Sequence, residues 1–100
     1  AAQRVFDATY SNQTVGPFLV WTELTGGRGN AMFVTSAGAY LGALVHGYGG
    51  VRYTADALEL RPQLPAATRG LRLRRLHYAG AAVDAAWNAT HLTLRRHASV

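Results

Sequence analysis

The hydrophobic period of this sequence changes at a glycine-rich segment, Gly47-Tyr48-Gly49-Gly50, and this change limits what the chain can fold into. Before it, apolar residues from Ala31 to Val45 recur at helical spacing, which predicts a helix over residues 31–46. After it, apolar and polar residues alternate, as in half-buried strands. A helical half followed by a half made of strands predicts an α+β fold with a boundary near residue 50.

The helical half has a recognisable start and end. Asn30 is placed to cap the helix, and residues 47–50 are placed to end it. Glycine and alanine occupy much of the helix surface, and such a small, apolar helix is usually packed on several sides. The preceding segment Thr25–Asn30 is glycine-rich and is expected to be a loop.

The second half predicts an antiparallel meander. Residues 71–78 alternate almost regularly, so Arg72 and Arg74 should lie on the face opposite the leucines. The doublet Arg74-Arg75 breaks the alternation and predicts a β-bulge. Ala79-Gly80 is expected to form the hairpin turn. The expected strands are residues 51–54, 58–61, 71–78, 81–87 and 91–95.

Composition disfavours several classes of function. The net charge is +5 and all ten basic residues are arginine, but much of this charge lies in alternating strands, where arginine is an ordinary solvent-side residue. Nucleic-acid binding is therefore disfavoured. The chain has no cysteine and its four histidines lack the spacing of metal ligands, so neither a metal nor another cofactor is expected. The longest apolar run, Ala37–Val45, falls well short of the roughly 20 residues of a membrane-spanning helix.

Glu23 is the carboxylate that best suits chemistry on a sugar. It follows Trp21 and precedes the glycine-rich loop, so an indole could stack on a sugar face while the carboxylate binds hydroxyls or water. The alternative is a surface glutamate beside a half-buried tryptophan. Asp84 lies among alanines in a predicted strand and is expected to face water.

Two tripeptides, Asn12-Gln13-Thr14 and Asn88-Ala89-Thr90, fit the acceptor pattern for N-glycosylation. They favour the secretory pathway, with a secreted or vacuolar/lysosomal location. The chain does not begin with Met and shows no signal peptide, so we expect a processed chain or an internal fragment.

Two stretches resemble the hydrolytic branch of glycoside hydrolase family 65, which includes acid trehalases and the glucosidases that trim glucosyl-galactosyl-hydroxylysine of collagen. The first is Pro17-Phe18-Leu19-Val20-Trp21-Thr22-Glu23 with the glycine-rich loop and Asn30-Ala31-Met32-Phe33-Val34-Thr35. The second is Gly47-Tyr48-Gly49-Gly50-Val51-Arg52 with Leu58-Glu59-Leu60-Arg61-Pro62-Gln63-Leu64-Pro65. The resemblance implies that residues 1–50 end an (α/α)6 catalytic barrel and that residues 51–100 form a small antiparallel β-sandwich domain.

The resemblance also implies an inverting α-glucosidase acting on an α-glucosidic disaccharide, of the trehalose or glucosyl-galactosyl-hydroxylysine type. Glu23 matches the catalytic base, and Trp21, Thr22, Asn30 and Thr35 match substrate-binding positions. The general acid lies outside this chain. The chain alone is therefore expected to be inactive and to need the remainder of the barrel, from the same precursor or another chain.

Two alternatives remain open. A phosphorylase of the same family would hold phosphate near Thr35 and Ser36, although this sequence departs from the Ser-Met-Ala-Gly pattern of those enzymes. A non-catalytic β module for binding or structure is the other. The role of His46 is not assigned.

Overall fold

The computed structural model describes residues 1–97. The chain divides into two compact units, Ala1–Ala43 and Leu44–Val100. Both contain small antiparallel sheets, and helices occur beside them, so the fold is α+β as the sequence predicted. We describe each unit by itself.

The first unit joins two helices through a three-stranded sheet of order β1-β2-β3. A short 3-10 turn, Thr25–Gly27, connects β2 to β3, and the helical backbone continues beyond α2 as a π-helical segment, Ala43–Tyr48. The elements are α1 (Ala2–Gln13), β1 (Thr14–Val15), β2 (Val20–Leu24), β3 (Arg28–Ala31) and α2 (Val34–Gly42).

Two expectations for the first unit are wrong. Part of the predicted loop is strand β3, because its backbone pairs with β2, so helix α2 begins at Val34 rather than at Ala31. Asn30 consequently lies in β3 and does not cap α2, which Phe33 precedes without a side-chain cap. The helical segment ends at Tyr48, next to the glycines that were expected to end it.

Aromatic rings join the elements of the first unit. Tyr40 of α2 stacks on Phe6 of α1 with centroids 4.4 Å apart, and it lies 4.8 Å from the ring of Trp21 in β2. Tyr10 completes the cluster, 6.2 Å from Trp21. The rings come from segments that are far apart in sequence. Their centroid distances lie in or close to the range in which aromatic pairs attract each other.

The apolar side chains of the first unit are otherwise mostly exposed. Thr22 is its single buried residue, and helix α2 buries none. Val34 and Leu41 of α2 are 76% and 61% exposed. The sequence predicted a helix packed on several sides, and the described part of this unit does not provide the surfaces that would cover it.

The second unit contains all five expected strands. They form a two-stranded sheet, β4-β5, and a three-stranded sheet of order β6-β7-β8, each antiparallel. The turn between β6 and β7 has positive φ at Ala79 (48°) and Gly80 (74°), as in a two-residue hairpin turn of type I′. The strands are β4 (Arg52–Tyr53), β5 (Leu58–Glu59), β6 (Gly70–Tyr78), β7 (Ala81–Asn88) and β8 (Leu92–His97).

The predicted bulge is present in β6. Leu73 pairs with Ala85 and Leu76 pairs with Val83, so two residues of β6, Arg74 and Arg75, oppose a single residue of β7. Arg75 has a φ of 57°, the left-handed conformation found at some bulges. The bulge restores the alternation, so the leucines of β6 are half-buried or buried while Arg72 and Arg74 are exposed.

A small apolar core stabilises the second unit. Its buried members are Val51, Leu76, Ala85 and Trp87, with partly buried leucines around them. The indole Nε1 of Trp87 donates a hydrogen bond to the Gln63 carbonyl at 2.9 Å, which satisfies the polar atom of this buried ring.

Gly50 lies against the backbone of Arg61, directly before the buried core residue Val51. Its φ is 60°, and a Cβ at this position would lie 2.7 Å from the carbonyl carbon of Arg61 and closer still to its oxygen. Only glycine fits this combination of left-handed backbone and close contact. The next residue, Val51, is completely buried.

Candidate functional site

Glu23 lies in strand β2 opposite a bulge in β3. Thr22 pairs with Ala31 and Leu24 pairs with Arg28, so Glu23 opposes two residues, Gly29 and Asn30. Gly29 has a φ of 76°, and a Cβ on it would lie 2.9 Å from the Cβ of Glu23. Glycine therefore permits both the bulge and the close approach, and the bulge brings Asn30 to the carboxylate.

Asn30 holds one oxygen of the Glu23 carboxylate. Its backbone N–H donates to Oε2 at 3.1 Å and its side-chain Nδ2 donates to the same oxygen at 2.9 Å. Among residues 1–97 no donor reaches Oε1, and the side chain is half-buried. One oxygen is thus fixed in orientation while the other remains able to accept a proton or bind a hydroxyl group.

Arg28 does not contribute to this arrangement. Its Nε donates to the carbonyl of Thr25 at 3.2 Å and so closes the turn that precedes β3. The guanidinium group therefore stabilises the loop that carries Gly29 and Asn30 rather than binding the carboxylate itself.

Trp21 and Thr22 lie beside Glu23 in β2 but in different surroundings. Thr22 is 1% exposed, and its hydroxyl lies 3.0 Å from the Gln13 carbonyl oxygen and 2.9 Å from that of Leu24. Trp21 is half-buried against Tyr40, and its buried Nε1 has no acceptor within residues 1–97. The hydroxyl of Thr22 therefore binds backbone here, whereas the indole N–H of Trp21 is a buried donor without an acceptor in this part of the chain.

Thr35 occupies the first turn of α2 and is exposed. Within the described residues it forms no hydrogen bond to Glu23 or Asn30. The structure thus brings Glu23, Asn30 and the β2 residues together, and it does not join Thr35 to them. The substrate-binding roles of these residues stay predictions.

Both candidate glycosylation sites are exposed. Asn12 lies in the last turn of α1, and Asn88 ends β7. The Oδ1 of Asn88 accepts hydrogen bonds from the N–H of Thr90 at 2.9 Å and of His91 at 2.8 Å. This Asx turn fixes the amide of Asn88 with its carbonyl oxygen facing the backbone.

Sequence reasoning missed a second set of polar contacts, around Asp84. Asp84 lies on the polar face of the sheet and is partly exposed, but its carboxylate also accepts from the N–H of Arg75 at 2.9 Å and lies 2.9 Å from Nε2 of His97. The hydrogen bond from the Arg75 backbone and then that from His97 lower the pKa of Asp84. Only the bulge and the pairing of β7 with β8 bring these groups together, so no local signal could have revealed them.

Other candidate chemistry finds less support. His46 Nδ1 lies 3.0 Å from the carbonyl oxygen of Val51, which gives this ring a structural contact. Among residues 1–97 no three histidine, aspartate or glutamate side chains are grouped as metal ligands would be. None of the helices in that part of the chain is long and apolar enough to cross a membrane.

One family model matches most of the second unit. Residues 51–99 match the model of the glycosyl hydrolase family 65 C-terminal domain. The resemblance found in the sequence is thus confirmed, and this segment belongs to family 65.

Three curated relatives share the name protein-glucosylgalactosylhydroxylysine glucosidase. The protein of Dictyostelium discoideum is 44% identical over 86 residues, which cover 85% of this chain and 12% of the relative. The proteins of Danio rerio and Gallus gallus are 33% and 34% identical, over 89% and 79% of this chain and 13% and 11% of their own lengths. The chain therefore spans only about an eighth of these relatives. No solved structure matches it.

Proposed function

We propose that this chain is the carboxy-terminal part of an inverting α-glucosidase, with residues 1–50 at the end of an (α/α)6 barrel. The substrate is an α-glucosidic disaccharide, of the glucosyl-galactosyl-hydroxylysine type that the names of the relatives indicate or of the trehalose type. The observation that carries the proposal is the arrangement of Glu23, whose carboxylate is held at Oε2 and open at Oε1.

This arrangement suits a general base. Inverting glycosidases need a carboxylate that takes a proton from water on one side of the sugar, while a carboxylic acid about 6.5–9.5 Å away protonates the leaving oxygen. Asn30 fixes the orientation of the Glu23 carboxylate, and the open Oε1 accepts the proton.

The general acid has to come from outside these residues. The first unit supports such an arrangement, because large apolar side chains such as Phe18 and Met32 are 87% and 74% exposed. Exposed apolar surface of this kind marks a packing interface. We assign this interface to the remaining helices of the barrel, from the same precursor or from another chain.

The test is the variant Glu23→Gln in a protein that joins this chain to the barrel segment carrying the general acid. Glutamine keeps the shape and the contact with Asn30 but cannot accept the proton. We expect kcat to fall about 10²–10⁴-fold with little change in KM, as is usual for one acid–base group. Glu59→Gln is the matched control, since Glu59 is an exposed carboxylate in β5, and its kcat should stay close to that of the wild type.

A loss of less than about tenfold for Glu23→Gln would remove this residue from the role of base. Product analysis separates the alternatives: hydrolysis with inversion releases β-glucose, whereas a phosphorylase releases glucose 1-phosphate only when phosphate is present. The chain without the barrel should have no activity in either assay. A joined protein that folds but is inactive with every α-glucoside tested would favour the non-catalytic β module.

The cellular location of the protein is part of the same proposal. Both sequon asparagines, Asn12 and Asn88, are exposed, which is compatible with N-glycosylation and a secreted or vacuolar/lysosomal location. A glycopeptide mass at either asparagine of the native protein is the supporting measurement.

A further inference from the structure

The polar face of the three-stranded sheet in the second unit is shaped as a trough. Its central strand, β7, contributes small side chains such as Ala86, whereas the flanking strands contribute long ones. Arg72 of β6 and Thr93 of β8 both pair with Ala86, and Arg95 of β8 pairs with Asp84. Because alternate residues share a face, these arginines form the walls of a trough that Ala86 floors.

The charge in this trough is strongly positive. The trough holds two adjoining depressions. Four arginines, one aspartate and His97 line the first, of about 310 Å³: Arg72, Arg74, Arg75, Asp84, Arg95 and His97. The second, of about 160 Å³, shares Arg72, Asp84 and Arg95 with it and also has Ala86 and Thr93 in its lining. Four guanidinium charges against one carboxylate leave a net charge of +3, before any protonation of His97. This concentration of cations lies on an open surface, where an anion can reach it.

The one carboxylate in the trough does not neutralise its walls. Asp84 is paired across the strands with Arg95, yet its oxygens are engaged by the N–H of Arg75 and by Nε2 of His97. Within residues 1–97 the guanidinium groups of Arg72, Arg74 and Arg95 have no hydrogen bond or ion pair. Three planar donors that converge on one depression thus keep their hydrogen-bonding capacity.

From this geometry we propose that the trough binds a small, doubly charged oxyanion, namely the phosphate or sulfate group of a small molecule. Guanidinium forks match tetrahedral oxyanions, and a residual charge of +3 suits a dianion better than a single carboxylate. The depression is at the small end of ligand sites, so a compact ligand fits it better than a polymer does. The proposal uses residues of the second unit alone and does not depend on the glucosidase proposal.

The test is calorimetric titration of the chain with inorganic phosphate, inorganic sulfate and acetate, at a constant ionic strength of about 0.15 M set with sodium chloride. We expect saturable binding of phosphate and sulfate, and binding of acetate that is weaker by at least about tenfold. Equal affinity for acetate would overturn the preference for a dianion. Titration with heparin tests whether the trough prefers a polyanion. Binding of heparin without saturable binding of either inorganic ion would also overturn the proposal.

Neighbouring residues of β8 offer a matched control. Arg95→Gln removes a wall of the trough, whereas Arg96→Gln removes the same charge from the other face, where Arg96 pairs with Val83. We expect Arg95→Gln to weaken phosphate binding at least about tenfold and Arg96→Gln less than about twofold. Equal losses would show a general effect of net charge and would refute a built site.

Ala86→Leu adds a test that changes no charge. Leucine should fill the adjoining depression between Arg72 and Arg95 and weaken phosphate binding at least about tenfold while all arginines remain. Circular dichroism and the thermal transition of each variant confirm that it is folded. Unchanged phosphate affinity in a folded Ala86→Leu variant would overturn the placement of the ligand.

Discussion

Replacing Gly50 with alanine tests whether steric contact requires a glycine directly before the buried residue Val51. Two effects add. A left-handed backbone costs an alanine about 1–2 kcal/mol. The new Cβ would also lie 2.7 Å from the carbonyl carbon of Arg61, a backbone atom that cannot rotate away. Such overpacking typically costs a further 1–3 kcal/mol or so, so Gly50→Ala should lower the free energy of unfolding by about 2–5 kcal/mol.

Gly80→Ala is the matched control, because Gly80 also has positive φ (74°) but a Cβ added to it would meet no atom within 4 Å. Gly80→Ala should lower the free energy of unfolding only by the cost of a left-handed backbone, about 1–2 kcal/mol. Urea denaturation followed by the fluorescence of Trp87, with Trp21 replaced by phenylalanine in every variant, reports on the second unit. The difference between the variants corresponds to a Tm gap of about 5–20 °C in a unit of this size. Variants that agree within about 0.5 kcal/mol would show that the close contact with Arg61 is not rigid, and the steric argument would fail.

Three further predictions concern the second unit. Trp87→Phe removes the donor to the Gln63 carbonyl and some core volume, so the free energy of unfolding should fall by about 1–3 kcal/mol in urea denaturation; no change would exclude this hydrogen bond as a stabilising contact. Because the folded-state pKa of Asp84 is lowered, its stabilisation is present at neutral pH and is lost as the pH falls through that value, so the stability gap between wild type and Asp84→Asn should narrow below about pH 4. A gap independent of pH in denaturation curves would contradict that assignment. Native protein should carry a glycan at Asn88 that Thr90→Ala removes, as measured by glycopeptide mass; an unmodified Asn88 in secreted protein would refute the prediction.

Much of the second unit could be predicted from the sequence because its signals are local. The leucines and arginines of residues 71–78 alternate, so the two faces of β6 follow from the geometry of a strand. Two adjacent polar residues, Arg74 and Arg75, interrupt that alternation, and a bulge is the structure that restores it. Ala79-Gly80 lies between two strand patterns, where only a tight turn can connect them.

The surroundings of Glu23 were predictable only in part. Its position beside Trp21 and before a glycine-rich segment indicated a candidate site. The pairing of Arg28–Ala31 with β2 was not expected, because a segment rich in glycine has weak strand signals and takes its conformation from its neighbour. For the same reason Asn30 was assigned to a helix cap rather than to the carboxylate that it contacts.

The sequence by itself therefore determined the order of the elements in the second unit, the faces of the β6–β7–β8 sheet and the family of residues 51–99, because period, turn chemistry and motif are properties of neighbouring residues. The tertiary structure decided which polar groups meet. Asn30 reaches Glu23 through a bulge, and His97 reaches Asp84 across two strands, so these contacts depend on strand register. Register arises from the pairing of distant segments, and no single segment of the sequence contains it.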